Sequence, residues 1–144
     1  MQAECGLAQL EQVERFIQAR KENFNFLNNR LSACREFVQL PVATEHSDPS
    51  WFGFPITLKE SSPVNRLDLL TYLDQNKVGT RLLFAGNLTR QPYMQHANYR
   101  ISGELTNTNI VMENTFWIGV QPSLTIEMLE FSAKKIESYL GVNF

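Results

Sequence analysis

Apolar residues recur in steps of three and four along the first part of the chain, interrupted at Arg20. They form one stripe on a helical surface, at Leu7, Leu10, Val13, Ile17, Phe24, Leu27, Leu31 and Cys34. No proline occurs before Pro41 to interrupt a helix. The pattern predicts one long leading helix within residues 1–35, about 25 to 30 residues in length. Because no good N-cap precedes Gly6, we expect this helix to begin at or beyond the start of the chain.

Short strands and helices alternate along the remainder of the sequence. Predicted strands cover 37–40, 51–58, 81–84 and 115–120, and predicted helices cover 63–76, 105–114 and 125–140. Caps are expected at Ser61-Ser62-Pro63 and Thr125, with Gly141 just past the last helix. Residues 85–102 have no period and predict a long loop.

This order of elements predicts an α+β fold, a two-layer sandwich of helices on a small, mainly antiparallel sheet. Pro55 favours an edge position for its strand. The sheet is expected to take its aromatic core from Trp51, Phe52, Phe54, Phe116 and Trp117. At 144 residues the chain predicts one domain, residues 1–144.

Composition removes several classes of function. The net charge of -2 argues against nucleic acid as a partner, which calls for a surplus of Lys and Arg. No apolar run approaches the roughly 18 residues of a membrane span. The first ten residues lack the basic start of a signal peptide, so the expected location is the cytoplasm.

Residues with catalytic or metal chemistry are sparse. Cys5 and Cys34 are too few for a four-thiolate cluster, and Cys34 falls on the apolar stripe. His46 and His96 lie in polar segments without a further ligand pattern, which favours ordinary surface histidines. Phosphate-loop, zinc-protease and hydrolase motifs are absent from the sequence. We therefore predict no catalytic and no metal-ligating residue in this chain.

One segment carries candidate binding chemistry, GTRLLFAGNLTRQPYM at residues 79–94. It gathers Arg81, Asn87, Arg90, Gln91 and Tyr93 just beyond a predicted strand. Arginine forks bind phosphates and amides pair with sugar hydroxyls, so the set suits a ligand with phosphates, hydroxyls and a flat ring. The alternative is a solvated loop whose arginines pair with local carboxylates.

Four segments resemble the pyridoxal-phosphate-dependent sugar-nucleotide aminotransferase and dehydratase family. QAECGLAQLEQVERFIQAR and TFWIGVQPSLTIEMLEFSAKKIESYL bracket the chain. SDPSWFGFPITLKESSPVNR and GTRLLFAGNLTRQPYM are similar to the branch of CDP-4-keto-6-deoxy-D-glucose 3-dehydrases. Leu88 stands where most of the family has histidine, a departure that marks this branch.

The resemblance implies the C-terminal small domain of a fold type I enzyme whose N-terminal, cofactor-binding large domain is missing. The whole enzyme would remove the C-3 hydroxyl of a CDP-sugar in 3,6-dideoxyhexose biosynthesis for lipopolysaccharide O-antigen. It would be a homodimer and use pyridoxamine or pyridoxal phosphate and a [2Fe-2S] cluster, with electrons from an NADH-dependent flavin iron–sulfur reductase. The isolated chain would be inactive.

Two further expectations follow from the resemblance. Arg81, Asn87, Arg90 and Gln91 would face the substrate. The lost large domain would leave an apolar patch along the first helix or beside Trp51, and self-association of the isolated chain. The rival hypothesis is a free-standing binding module for a nucleotide sugar or phosphate ligand, without catalysis.

Overall fold

The leading helical segment consists of two helices rather than one. In the computed structural model, which describes residues 1–142, α1 spans Gln2–Leu10 and α2 spans Val13–Arg30. Between them the Gln12 amide donates to the Gln9 carbonyl at 3.0 Å, a three-residue step that tightens the turn. None of the residues of α1 is buried, so no packing holds it in line with α2. The prediction of one continuous helix is therefore wrong.

The four strands form one antiparallel sheet in the order β1-β2-β4-β3. Their bounds are Val38–Gln39 for β1, Gly53–Leu58 for β2, Thr80–Leu82 for β3 and Thr115–Gly119 for β4. The predicted α+β class with a small antiparallel sheet is confirmed. All three neighbouring pairs of strands in this sheet are antiparallel.

Pro55 lies in a central strand, contrary to the edge position predicted for it. β2 pairs with β1 on one side and with β4 on the other. However, β1 reaches only Thr57 and Leu58 of β2. At Pro55 the side toward β1 has no partner strand, so the missing N–H of proline interrupts no ladder bond there.

Helices cover one face of the sheet and enclose the core. α3 spans Arg66–Gln75, α4 spans Thr106–Asn114 and α5 spans Ile126–Tyr139. Along β2 every second side chain is buried, so one face of the strand enters the core while the other stays half-exposed. α2 and α3 both contact α5. The buried position predicted for Cys34 is confirmed, as it has no exposed area.

The predicted cap of α5 is confirmed, whereas the predicted cap of α3 is wrong. Thr125 caps α5 by accepting from the Met128 amide, and Gly141 follows the helix with a φ of 76°. The cap of α3 is Asn65, whose Oδ1 accepts from the Asp68 amide at 2.9 Å. The prediction of a cap at Ser61-Ser62-Pro63 is wrong, because the Ser61 and Ser62 hydroxyls donate to the carbonyls of Glu36 and Val64.

Residues 85–102 are a long connection, as predicted, but they contain two short 3₁₀ helices, Leu88–Arg90 and Pro92–His96. Among residues 1–142, no helix has the length and apolar character that crossing a membrane requires. The last two residues of the predicted domain, 143–144, lie outside the described residues.

Candidate functional site

The loop that follows β3 is fastened to α4. The Asn87 amide donates to Asn109 Oδ1 at 2.8 Å, and Arg90 forms an ion pair with Glu113. Gly86, with a φ of 63°, sits directly over Met112, where a Cβ would lie 2.6 Å from the Met112 side chain. Only glycine combines that backbone conformation with so close an approach. The candidate loop is therefore held in shape by one helix of its own chain.

Asn87 is buried and shapes the loop from inside. Its exposed fraction is 3%. Its Oδ1 accepts from the Thr89 amide at 3.0 Å and from the Thr89 hydroxyl at 2.7 Å, which caps the first 3₁₀ helix. Together with the bond to Asn109, these contacts occupy both ends of the amide. That Asn87 faces a ligand stays a prediction; its contacts here are all within the chain.

Arg90 and Gln91 are also engaged. The Arg90 guanidinium pairs with the Glu113 carboxylate, and both side chains remain about half exposed. The Gln91 amide donates to the Ala85 carbonyl at 2.7 Å and closes the loop on itself. A ligand reaching these two side chains would compete with these contacts.

Arg81 lies apart from the other three predicted residues. It is exposed on β3, directly opposite Trp117 of β4, so both side chains share one face of the sheet. Its guanidinium bonds to the carbonyl of its neighbour Thr80 at 2.9 Å. Of the four residues, Arg81 therefore keeps the most donors available for an anion.

Trp117 lies flat on the open face of the sheet. A Cβ at Gly53 would fall 2.3 Å from the Trp117 ring, so the indole rests on backbone that carries no side chain. The indole N–H donates to the Leu82 carbonyl at 3.2 Å, and the ring of Phe52 lies 5.0 Å away, centre to centre. Phe52 itself is 69% exposed, so its predicted place in the core is wrong. β2 begins only after Phe52, at Gly53, so the alternation of the strand does not place this side chain in the core.

The segment before Phe52 is tied to α2. The Trp51 ring stacks on Phe24 at 3.9 Å between centroids, with an interplanar angle of 2°. Arg20 donates to the carbonyls of Trp51 and Phe52 at 3.0 and 3.3 Å. Arg20, which interrupts the apolar stripe in the sequence, thus positions the backbone of Trp51 and Phe52.

Several residues that shape the site escape sequence reasoning. Arg66 donates to the carbonyls of Met112 and Thr115 and so anchors the end of α4. Burial lowers the pKa of Arg66, and the Glu113 carboxylate opposes that shift. Contacts of this kind join positions more than forty residues apart, and no local pattern signals them. Arg81 and Trp117 both lie in predicted strands, 81–84 and 115–120, but only the structure shows that they are opposite each other.

Metal and thiol chemistry find no support among residues 1–142. No group of three or more His, Cys, Asp or Glu side chains there could hold a metal ion. Burial raises the pKa of Cys34 to about 11, with Glu137 adding to the shift, so this thiol is protonated at neutral pH. Cys5 is exposed on α1. The two cysteines of this chain therefore do not fit an iron–sulfur site by themselves.

Comparison with known proteins links the chain to one family. The model of the DegT/DnrJ/EryC1/StrS aminotransferase family matches residues 1–137. The lipopolysaccharide biosynthesis protein RfbH of Salmonella typhimurium is 60% identical over all 144 residues, which cover 33% of that relative. The dTDP-4-dehydro-2,6-dideoxy-D-glucose 3-dehydratase of Saccharopolyspora spinosa is 42% identical over 98% of the chain and 30% of the relative. The chain thus spans about a third of the curated relatives it matches.

Solved structures share the fold. GDP-4-keto-6-deoxy-D-mannose-3-dehydratase of E. coli, with bound hydrated PLP, superposes with a TM-score of 0.81 at 21% identity, over 91% of this chain and 33% of that one. The aminotransferase TlmJ from Streptoalloteichus hindustanus superposes with a TM-score of 0.79 at 18% identity, over 94% of this chain and 35% of that one. At these identities the likeness concerns the fold.

Proposed function

Because the chain belongs to the DegT/DnrJ/EryC1/StrS aminotransferase family, we propose that it is the C-terminal small domain of a sugar-nucleotide 3-dehydrase. The whole enzyme acts on CDP-4-keto-6-deoxy-D-glucose and removes its C-3 hydroxyl in 3,6-dideoxyhexose biosynthesis for lipopolysaccharide O-antigen. The observation that carries the proposal is the 60% identity to a lipopolysaccharide biosynthesis protein over the full chain. The domain comprises residues 1–144, and it is inactive alone.

The cofactors of the proposed enzyme belong to its other two thirds. Pyridoxamine or pyridoxal phosphate supplies an electron sink for the sugar carbons when it is bound. The [2Fe-2S] cluster, the NADH-dependent flavin iron–sulfur reductase and the homodimer stay parts of the proposal that rest on the family resemblance.

The small domain contributes binding and positioning. Arg81 offers to the phosphates of the CDP-sugar the guanidinium donors that its bond to the Thr80 carbonyl leaves over. Arg90 and Gln91 stand on the loop beyond it, and Asn87 holds that loop in shape and reaches substrate only if its bond to Asn109 opens. The loop joins Arg81 to α4, so the helix limits how far these side chains can move.

A chimera tests the proposal directly. Residues 1–144 replace the matching C-terminal third of Salmonella RfbH, and the chimera is returned to a strain that lacks that protein. We expect restored lipopolysaccharide, because the replaced part is 60% identical. A folded chimera that leaves the lipopolysaccharide defect in place contradicts the proposal. The purified chimera, offered CDP-, GDP- and dTDP-linked 4-keto-6-deoxy sugars, is expected to consume the CDP form.

A thermal-shift measurement separates this proposal from a free-standing binding module. A self-sufficient module at 100 times its dissociation constant gains about 2.7 kcal/mol from CDP or CDP-glucose. The isolated small domain is expected to show almost no shift, because most of the substrate's contacts come from the rest of the enzyme. A clear upward shift would favour the module.

A further inference from the structure

A groove of about 670 Å³ opens at the end of the sheet where β3 begins, beside the first half of α5. β3 pairs with β4 only from Thr80 opposite Ile118 onward. The next residue of β4, Gly119, therefore has no partner strand on that side. Gly79 and Gly119 both line the opening and contribute no side chain to fill it. We call this opening the edge groove.

The walls of the edge groove combine positive charge with an aromatic ring. Lys77 and Arg81 line the side formed by β3 and the turn before it, and Trp117 lines the sheet. Lys77 forms no ion pair with any described residue, and Arg81 bonds only to the adjacent Thr80 carbonyl. Glu127 on α5 is the one carboxylate of the lining, so the groove keeps a surplus of one positive charge.

This combination fits a phosphate chain attached to a flat ring. Two cations on one wall can pair with adjacent phosphates, and Arg can do so with two parallel hydrogen bonds. The Trp117 indole is fixed by Gly53 beneath it and by its bond to Leu82, so it offers a surface that is ordered before a ligand arrives. A preordered aromatic face loses little entropy on stacking.

The loop beyond β3 offers less to an anion than the edge groove does. Arg90 already pairs with Glu113, and the Gln91 amide already bonds to the Ala85 carbonyl. The Asn87 amide is buried and bonded at both ends. Arg81 is the predicted binding residue with donors to spare, and it lines the groove.

We propose that the edge groove holds the nucleoside diphosphate half of the nucleotide sugar, with the base against Trp117 and the diphosphate between Arg81 and Lys77. The proposal rests on the function proposed above and assigns one part of the substrate to one place in this chain. It leaves the sugar end to the loop and to the rest of the enzyme.

The test is an NMR titration of the ¹⁵N-labelled 144-residue chain with CDP. The chain has two tryptophans, so two indole N–H signals are observed. Trp117 lines the groove and Trp51 stacks on Phe24 away from it. We expect saturable shifts of the Trp117 indole and of the Gly79 and Gly119 amides, with the Trp51 indole unmoved. The titration reaches CDP concentrations well above those of the thermal-shift measurement, so it detects a complex too weak to stabilise the chain clearly there.

Gly79→Leu blocks the groove with little risk to the fold. A Cβ at Gly79 meets nothing within 4 Å, and its φ lies outside the left-handed region. We expect this variant to lose the CDP shifts. Gly6→Leu is the matched control, because Gly6 on α1 is equally open and lies outside the groove. It should bind as the parent chain does.

Arg81→Ala tests the charge of the groove. Loss of one charge-assisted hydrogen bond is expected to weaken CDP binding about tenfold. Arg35→Ala removes an exposed arginine outside the groove and should leave the affinity unchanged.

Three results would overturn the proposal. One is CDP shifts confined to residues 87–91, another is unchanged affinity in Gly79→Leu, and the third is no saturable shift of the Trp117 indole at any CDP concentration. Each can occur while the chimera with RfbH restores lipopolysaccharide, so failure of the groove is distinguishable from failure of the proposed function.

Discussion

Asn87 is the residue on which the shape of the candidate loop depends most. It is buried, and its amide joins Thr89 within the loop to Asn109 on α4. A buried hydrogen-bonding group that loses its partner costs about 1–3 kcal/mol. Polar residues in a Gly- and Asn-rich segment predict ligand binding, yet the hydrogen bonds of Asn87 in this structure stabilise the loop.

We expect Asn87→Ala to lower the free energy of unfolding by about 1–3 kcal/mol, because Asn109 and the Thr89 amide lose their partner. Urea denaturation followed by circular dichroism measures the change. Asn107→Ala, at an exposed position of α4, is the control and should stay within about 0.5 kcal/mol of the parent. Equal effects of the two substitutions would contradict the role assigned to Asn87.

Glu137 makes stability depend on pH. Its carboxylate is 3% exposed and accepts from Arg30 at 2.8 Å. Burial raises its pKa above the ordinary value of 4.5, outweighing Arg30 and Lys134, which lower it. The native state therefore holds this proton more tightly than the unfolded chain does. The stability that this group contributes is full below pH 4.5 and is lost as the pH rises through the raised pKa.

Glu137→Gln removes this titration and nearly keeps the side-chain shape. We expect the parent chain to lose stability relative to Glu137→Gln as the pH is raised from 4.5 toward neutrality. Urea unfolding at a series of pH values measures the difference. A flat difference for Glu137→Gln would show that its pKa is not raised.

At the scale of elements, the packing of Trp117 from β4 onto β2 depends on Gly53. Gly53 allows the Trp117 ring to lie on the backbone of the neighbouring strand. The ring is thereby held between Phe52 and the Leu82 carbonyl. Aromatic rings that cover a glycine in the adjacent strand stabilise a sheet where it lacks a side chain.

Gly53→Ala is expected to displace the Trp117 ring and to cost about 1–3 kcal/mol, since a Cβ would overlap it. The measurements are the free energy of unfolding and the Trp117 indole signal, which should shift strongly. Gly79→Ala places a Cβ in open space and is expected to change neither. If both variants behave alike, the ring does not rest on Gly53.

The sequence predicts which segments are helices or strands better than it predicts where those elements begin, end or break. Repeated apolar spacing fixes α2 and α5, and alternation fixes β2, because those patterns reflect burial on one face. The sequence pattern does not predict the helix break at Gln12 or the cap at Asn65. The break depends on the absence of packing around α1, and the cap depends on a hydrogen bond to the Asp68 amide. That Arg81, Asn87, Arg90 and Gln91 bind substrate stays a prediction. Sequence spacing does not reveal the partners of the last three, which lie on α4 or in the loop.

At the scale of the molecule, apolar side chains are exposed at several places, and Phe84, Val42 and Leu67 are 83%, 79% and 73% exposed. Leu7 and Leu10 on α1 are 65% and 62% exposed, and Phe52 beside Trp51 is 69% exposed. Both places were predicted as the surface left by a missing large domain. The proposed function assigns this surface to contacts with the rest of the enzyme.

Removal of residues 1–10 is expected to leave the free energy of unfolding within about 0.5 kcal/mol of the parent, since α1 buries nothing. Phe24→Ala, in α2, should cost about 3–5 kcal/mol, because that ring is 4% exposed and packs on Trp51 and Phe54. Chemical denaturation compares the two. A large loss on truncation would mean that α1 packs on the core.

Self-association of the isolated chain should depend on the same helix. Leu7→Glu combined with Leu10→Glu is expected to shift the chain toward monomer, since charge replaces the exposed apolar residues. Sedimentation velocity over a range of concentrations measures the change. Glu11→Gln combined with Glu14→Gln keeps the apolar stripe and should not favour monomer.

The tightened turn at Gln12 also has a mechanical consequence. α2 is about 27 Å long, at 1.5 Å per residue, and is anchored in the core by Asn23, Phe24 and Leu27, whereas α1 has no buried residue. If α1 is held fixed, a rotation of about 10° about Gln12 carries the far end of α2 through roughly 5 Å by this geometry. In such a rotation the core, the sheet and Trp117 would move together with α2.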